Sequence, residues 1–188
     1  MKPFRATGLL IILALPFGAA IADDAVALEY AQDAVKTLRA EFDGLKGTLP
    51  VYSSQMQQLQ SDLHNAELTL FHLQGDDAGV KRLLRAEVNR QSTLFKQQQS
   101  FADRGYAGAK ELSTSELRLL VAQCNLARHI GDQATAALAI RRAIEVEESK
   151  LKSILHQASR GYANQSSIAK QKLRIAQLIA TKTITPGV

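Results

Sequence analysis

The chain has 188 residues, 46% hydrophobic and 22% charged, with a formal net charge of +5. One cysteine excludes an internal disulfide framework. Its basic residues are mixed with acids along the chain, which excludes the concentrated basic stripe of a nucleic-acid binder.

Lys2 and Arg5 precede the short apolar run 8–15, and Pro16 and Gly18 follow it. Ala20-Ile21-Ala22 then offers a small-x-small cleavage site before Asp23. This is the three-part pattern of a secretory signal peptide, with cleavage expected after Ala22. The uncharged stretch 6–22 falls short of the ~20 residues of a bilayer-spanning helix and contains Pro16. No cysteine follows the apolar core, so a lipid-anchored thiol is not available there. Losing Lys2 and Arg5 would take the formal charge from +5 to +3. No later segment is apolar enough to cross a membrane, so the expectation is a soluble exported protein in the periplasm of a Gram-negative bacterium.

Beyond residue 22 the composition favours helix: Ala, Leu, Gln, Arg, Lys and Glu dominate, and the only prolines are Pro50 and Pro186. Leu28, Ala31, Val35, Leu38, Phe42 and Leu45 recur at alternating spacings of three and four, as do Met56, Leu59, Leu63, Ala66, Leu70 and Leu73. That is a seam with the 3.5-residue period of coiled-coil packing. Leu84, Val88, Gln91, Phe95, Gln98 and Ala102 continue it with two polar members, and Ile140, Ile144, Glu147, Leu151, Ile154 and Ala158 with one. Shorter seams are Leu117, Leu120, Cys124 and Ala127, then Ala169, Leu173, Ala176 and Ala180.

The pattern predicts six helices, over roughly 24–44, 53–74, 77–104, 113–130, 132–160 and 166–183. Gly75-Asp76 and Gly131-Asp132 each pair a C-terminal glycine with an aspartate placed to cap the next helix. Such tight joints force antiparallel neighbours. Ser113 and Glu116 stand at capping-box spacing and predict the start of the fourth helix. Cys124, among Leu120, Val121 and Ala127, reads as a buried small apolar residue rather than a nucleophile.

Sliding residues 75–130 onto 131–186 without a gap gives twelve identities in 56 positions. Ordinary residue frequencies would give about three or four. The matches include the four-residue block Arg104-Gly105-Tyr106-Ala107 against Arg160-Gly161-Tyr162-Ala163. The seams align too, with Leu84 against Ile140 and Cys124 against Ala180. Identity and packing face agree, so a duplicated helical hairpin is expected. Residues 23–74 read as a fainter copy of it. The resulting organisation is a leader (1–22), a divergent hairpin (23–74), a second hairpin (75–130), and a third with a short tail (131–188).

The repeated block marks a corner. A long helix ends at Arg104 or Arg160, and the glycine that follows takes the left-handed conformation of a helix terminus. Arginine suits the negative end of the helix dipole, and the tyrosine is placed to fold back on the last turn. The functional alternative is a recognition edge of Arg104, Tyr106, Arg160 and Tyr162, since Tyr and Arg are favoured at binding hot spots.

The segment 94–132, "LFKQQQSFADRGYAGAKELSTSELRLLVAQCNLARHIGD", resembles the coiled-coil hairpins of TolC-type outer-membrane efflux channels and their periplasmic adaptor proteins. The matching positions are Gly105 or Gly108, Ser115, Glu116, Leu117, Ala122, Leu126 and Ala127, followed in the second copy by Gly161, Ser167, Leu173 and Ala176. The resemblance covers about half of residues 23–188. The strands of a membrane barrel and the lipoyl-like or barrel domains of an adaptor have no counterpart here, so it implies the helical part alone.

His64, His72, His129 and His156 form no H-x-x-H, HExxH or C-x-x-C-H pattern. His64 and Glu67, one turn apart, read as a solvated surface pair. No Gly-rich phosphate loop, nucleophile elbow or acid–base dyad stands out, so no catalytic, cofactor or metal residue is assigned. A hydrolytic enzyme would need a site that the sequence does not offer. The polar seam members Gln91, Gln98 and Glu147 admit three readings. They fix register, line a wet groove for a ligand, or reach solvent by a small rotation of the helix.

The expectation is therefore an all-α protein of six helices, arranged as antiparallel coiled-coil-like hairpins repeated two to three times in a bundle or an elongated array. Its expected role is non-catalytic interaction or scaffolding in the cell envelope, accessory to a transport or stress system. The expected partner is another envelope protein, and a homo-oligomer is compatible with the pattern. The alternative is a periplasmic bundle that binds a small molecule or metal near the polar seam.

Overall fold

No proline interrupts residues 53–183, and strong helix formers fill the spaces between glycine-marked joints. The computed structural model describes residues 21–50 and 53–183. The leader expected over 1–22 lies outside the described residues, apart from the backbone of Ile21 and Ala22. Among the described residues there are six helices: α1 (Ile21–Leu45), α2 (Ser54–Gln74), α3 (Asp77–Asp103), α4 (Ala109–His129), α5 (Gln133–Ser159) and α6 (Gln165–Thr183). Among the described residues there is no strand beyond a single bridge between Lys46 and Leu49.

The chain divides into two compact units, Met1–Leu73 and Gln74–Val188. In the first, α1 and α2 are tied by Arg39, whose Nη2 donates to Glu67 Oε1. Ala31, Val35, Met56 and Leu59, all members of the predicted seams, are its buried residues.

In the second unit α3 packs on α4, α4 on α5 and α5 on α6. Among the described residues α3 has no such backbone-level packing with α5 or α6. The joints explain the order. Asp76 Oδ1 accepts from the Gly79 N–H at 2.8 Å, and Asp132 Oδ1 from the Thr135 N–H at 3.0 Å, so each long helix starts on a capped turn directly after its predecessor. Across the α3–α4 hairpin, His129 Nε2 at the end of α4 lies 3.2 Å from Asp77 Oδ1 at the start of α3.

The densest core lies between α4 and α5. Leu120, Cys124 and Ala127 meet Ala136, Ala139, Ile140, Ala143 and Val146, with Leu178 of α6 packed against them. Three alanines on one side of α5 let the two helices approach closely. Arg142 bridges them at the surface, donating to Glu116 at 2.9 Å and to Glu145 at 3.1 Å. Being exposed, that bridge contributes on the order of 0–1 kcal/mol, so the apolar contact holds the pair. Arg128 adds a tie from α4 to α6, its Nη2 donating to Thr181 O at 2.9 Å.

Two expectations are corrected. The fourth helix begins at Ala109, not at Ser113. Gly108, with extended backbone, is its N-cap, and the residues that follow it, Ala-Lys-Glu-Leu, are good helix formers. Ser113 and Thr114 therefore sit inside the helix and donate their hydroxyls back to Ala109 O and Lys110 O. The second correction concerns α6. Its expected seam, Ala169, Leu173, Ala176 and Ala180, faces solvent. The inward face is Ile168 and Gln171, both buried, continued by the half-buried Ile175 and Leu178. Of the aligned residues of α4, Leu120 and Cys124 are buried and Ser113 and Leu117 half-buried, because a further helix, α5, follows α4, whereas no described helix of the second unit covers that side of α6.

Cys124 is buried as expected. Burial pushes its thiol up from the ordinary value, and Arg128, one helical turn on, pulls weakly the other way. That basic neighbour is one the apolar reading of the segment passed over, and burial outweighs it.

Candidate functional site

The two corners of the second unit are built alike. Beyond Asp103 and Ser159 the chain passes through Arg104 or Arg160 into a glycine of positive φ, +78° at Gly105 and +79° at Gly161. A side chain on Cβ would strain that conformation, which is why glycine recurs there. The left-handed residue lets the next two amides turn back onto the helix end. Gly105 N donates to Ala102 O at 2.9 Å and Tyr106 N to Phe101 O at 2.8 Å. In the second corner Gly161 N donates to Ala158 O at 3.0 Å and Tyr162 N to Gln157 O at 2.9 Å. This is the Schellman arrangement, made twice.

The tyrosine side chains do not fold back on the last turn, contrary to expectation. Tyr106 and Tyr162 are each 81% exposed. The apolar contact that accompanies such a cap needs a sheltered apolar residue three places before the cap. Phe101 holds that place in one corner and is itself exposed, and polar Gln157 holds it in the other. Because α3 and α5 run in the same sense, both corners lie at one end of the second unit. Arg104 and Arg160 are exposed there as well.

Phe101 and Leu155, both exposed, stand in the last turns of α3 and α5 and add apolar surface toward that end. Sequence reasoning missed them. The available signal was position: each is a large apolar residue lying outside the three-four spacing of its own seam.

The polar seam members have a different place. Gln91 and Glu147 are buried, so neither simply reaches solvent, and Gln98 is half-buried. Between α5 and α6, Gln171 Nε2 donates to Glu147 Oε2 and, at 2.8 Å, to Glu147 O. Lys150 Nζ lies 3.8 Å from Glu147 Oε1. Burial lowers the Lys150 pKa from the ordinary lysine value, against the pull of Glu147. In the preceding repeat Gln91 Nε2 donates at 2.8 Å to Glu87 Oε1, a carboxylate already gripped by Arg90. The residue aligned with Gln171 there is Ser115, buried but much shorter. Glu147 is thus engaged by its own neighbours. An open depression of about 400 Å³ on the α4–α5 face, lined in part by Leu126, Ile130, Leu138 and Arg142, includes none of Gln91, Gln98 and Glu147.

His64 and Glu67 share one face of α2, and Glu67 accepts from Arg39 of α1. Among the described residues no three His, Cys, Asp or Glu side chains converge as metal ligands. No described helix is long and apolar enough to cross a membrane. Comparison with protein families, with curated proteins and with solved structures gave no match.

Proposed function

We propose that this is a non-catalytic interaction protein of the cell envelope, exported by its N-terminal leader, that holds a partner protein on the corners Arg104–Tyr106 and Arg160–Tyr162. An accessory role in a transport or stress system fits such a device. One observation carries the reading: two tyrosines in identical corners, at one end of one unit, are both held out in solvent. Tyrosine has a large apolar body and a polar tip, and little rotamer entropy is lost when it is fixed, so it suits a binding anchor. The internal duplication supplies two such anchors on a rigid helical frame, and the arginines beside them supply charge-assisted donors for a carboxylate on the partner.

The test uses the full chain as bait against envelope extract, with the retained protein identified and its affinity then measured. Tyr106→Ala with Tyr162→Ala is expected to abolish capture while leaving the helical circular-dichroism signal unchanged. Each tyrosine acting as a hot spot would contribute ~2 kcal/mol, about thirtyfold in affinity. Undiminished capture by the double variant would refute the reading.

A further inference from the structure

A stacked helical repeat ends cleanly when its terminal helices present polar outer faces. Among the described residues, neither α6 nor α1 does so. Under the 56-residue shift, Leu117, Leu120 and Cys124 of α4 correspond to Leu173, Ala176 and Ala180 of α6. On α4 this face packs against α5. On α6 it is open: Leu173 is 59% exposed, with Ile179 exposed beside the strip.

The counterpart in the first unit is α1. Its buried Ala31 and Val35 take the places that Glu147 and Leu151 hold on the inner side of α5, a shift of 116 residues. The same shift puts Tyr30 where α5 has Val146 and Ala27 where it has Ala143. Val146 and Ala143 are buried in the α4–α5 core, whereas Tyr30 is 72% exposed and Val26 beside it is also exposed. Thus α6 carries the face that receives α5, and α1 carries the face that α5 presents.

Charge selects between the ways of joining such faces. Lys170, Lys172 and Arg174 lie on α6, whose sequence has no acidic residue. The exposed side of α1 carries four acids, Glu29, Asp33, Glu41 and Asp43, against two cations, Lys36 and Arg39, the latter already paired with Glu67. Lys172 holds the place of Glu116, and Glu29 that of Glu145, the two carboxylates that grip Arg142 across α4 and α5. Two α6 faces would repel each other, whereas α6 and α1 attract.

We propose that α6 of one copy docks on α1 of a second copy, with α1 taking the part that α5 plays on α4. Each copy carries both faces, so repeated contacts of this kind close as a dimer or a larger ring, or continue as a filament. It does not depend on the tyrosine corners.

The experiment is sedimentation of the full chain over a range of concentration and salt. Mass is expected to rise with concentration above that of the monomer and to fall with added salt. Leu173→Asp on α6 and Tyr30→Asp on α1, both at exposed positions, should each give monomer with unchanged helicity. Mixed in equal amounts, they should form a dimer and nothing larger, because one intact α6 meets one intact α1. Lys172→Glu or Glu29→Lys alone should weaken association at least about tenfold, and the two together should restore it.

A wild-type chain that stays monomeric, or that assembles undiminished with Leu173→Asp, would overturn the proposal. So would a mixture of the two variants that remains monomeric. A monomer that binds vesicles containing anionic lipid, and loses that binding with Leu173→Asp, would assign the α6 face to a lipid surface instead. The tyrosine-corner variant should sediment as wild type does, which keeps the two readings separable.

Discussion

At Cys124 two neighbours act in opposite directions, and the larger sets the chemistry. Burial raises the thiol above its ordinary 9.0, Arg128 offsets part of the rise, and the sulfur stays protonated and shielded at neutral pH. Alkylation by a maleimide is therefore expected to be slow in the native protein and to accelerate in urea. The raised pKa has a definite sign in stability. Its contribution is undisturbed below the unfolded thiol's pKa and is lost as pH rises through the folded value, so the effect falls on the alkaline side and is absent at pH 7. A denaturation series from pH 7 to 10 on wild type and Cys124→Ala checks it, because the extra alkaline loss should vanish in the variant. The buried Glu147–Gln171 contact is the other residue-scale lever. Gln171→Ala removes a donor from a buried carboxylate and should cost about 1–3 kcal/mol by urea denaturation. Glu147→Leu combined with Gln171→Leu removes both partners and should cost less than the single change, since no buried polar atom of the pair is then left without its partner.

Among the elements, the joints decide direction and the helix faces decide packing. Gly161 and Gly108 look alike in sequence as corner glycines, but only the first has positive φ. Gly161→Ala should cost ~1–2 kcal/mol, because a Cβ there meets the carbonyl oxygen of its own backbone. Gly108→Ala should cost less, about 0.5 kcal/mol, because its backbone is extended and the loss is only that of a good N-cap residue. The one close approach at Gly108 is to the end of the flexible Glu111 side chain. Thermal melts of the two variants separate these cases. Asp76→Ala removes the cap of α3 and should cost about 0.5–2 kcal/mol. The start of α4 teaches a related lesson. Ser113 and Glu116 have the spacing of a capping box, but the same hydroxyl can bond back to the preceding turn once the helix has already begun.

For the whole molecule, uneven burial predicts uneven stability. The α4–α5 contact is covered on both helices and also receives Leu178, whereas α6 is packed on one side only. Amide exchange should be slowest around Ala127, Ala139, Ile140 and Ala143 and markedly faster along α6. Protection in α6 equal to that in α5 would contradict this. Ile140→Ala should cost about 2–5 kcal/mol, and Ala143→Leu about 1–3 kcal/mol because the close approach of the two helices has no room for a larger side chain. Association through α6 would raise protection along that helix, so the exchange pattern should depend on protein concentration.

The six helices of the described residues and the antiparallel order of α3 to α6 followed from the sequence alone, because spacing, glycine punctuation and capping aspartates are local and act on the backbone directly. The seams of α1 to α5 pointed inward for the same reason: a three-four spacing puts those residues on one side of a helix wherever it lies. What the spacing could not say is which side of a helix has a neighbour. Leu120 and Ala176 stand in matched positions of two repeats, yet one is buried and the other exposed, because α5 follows α4 and no described helix of the second unit covers that side of α6. The tyrosine corners divide likewise. Their backbone was legible from Gly105 and Gly161, but the outward set of Tyr106 and Tyr162 was decided by the poor shelter that Phe101 and Gln157 provide. Local interactions fix the rods and their turns; the count and order of rods in three dimensions fixes which surfaces remain to be used.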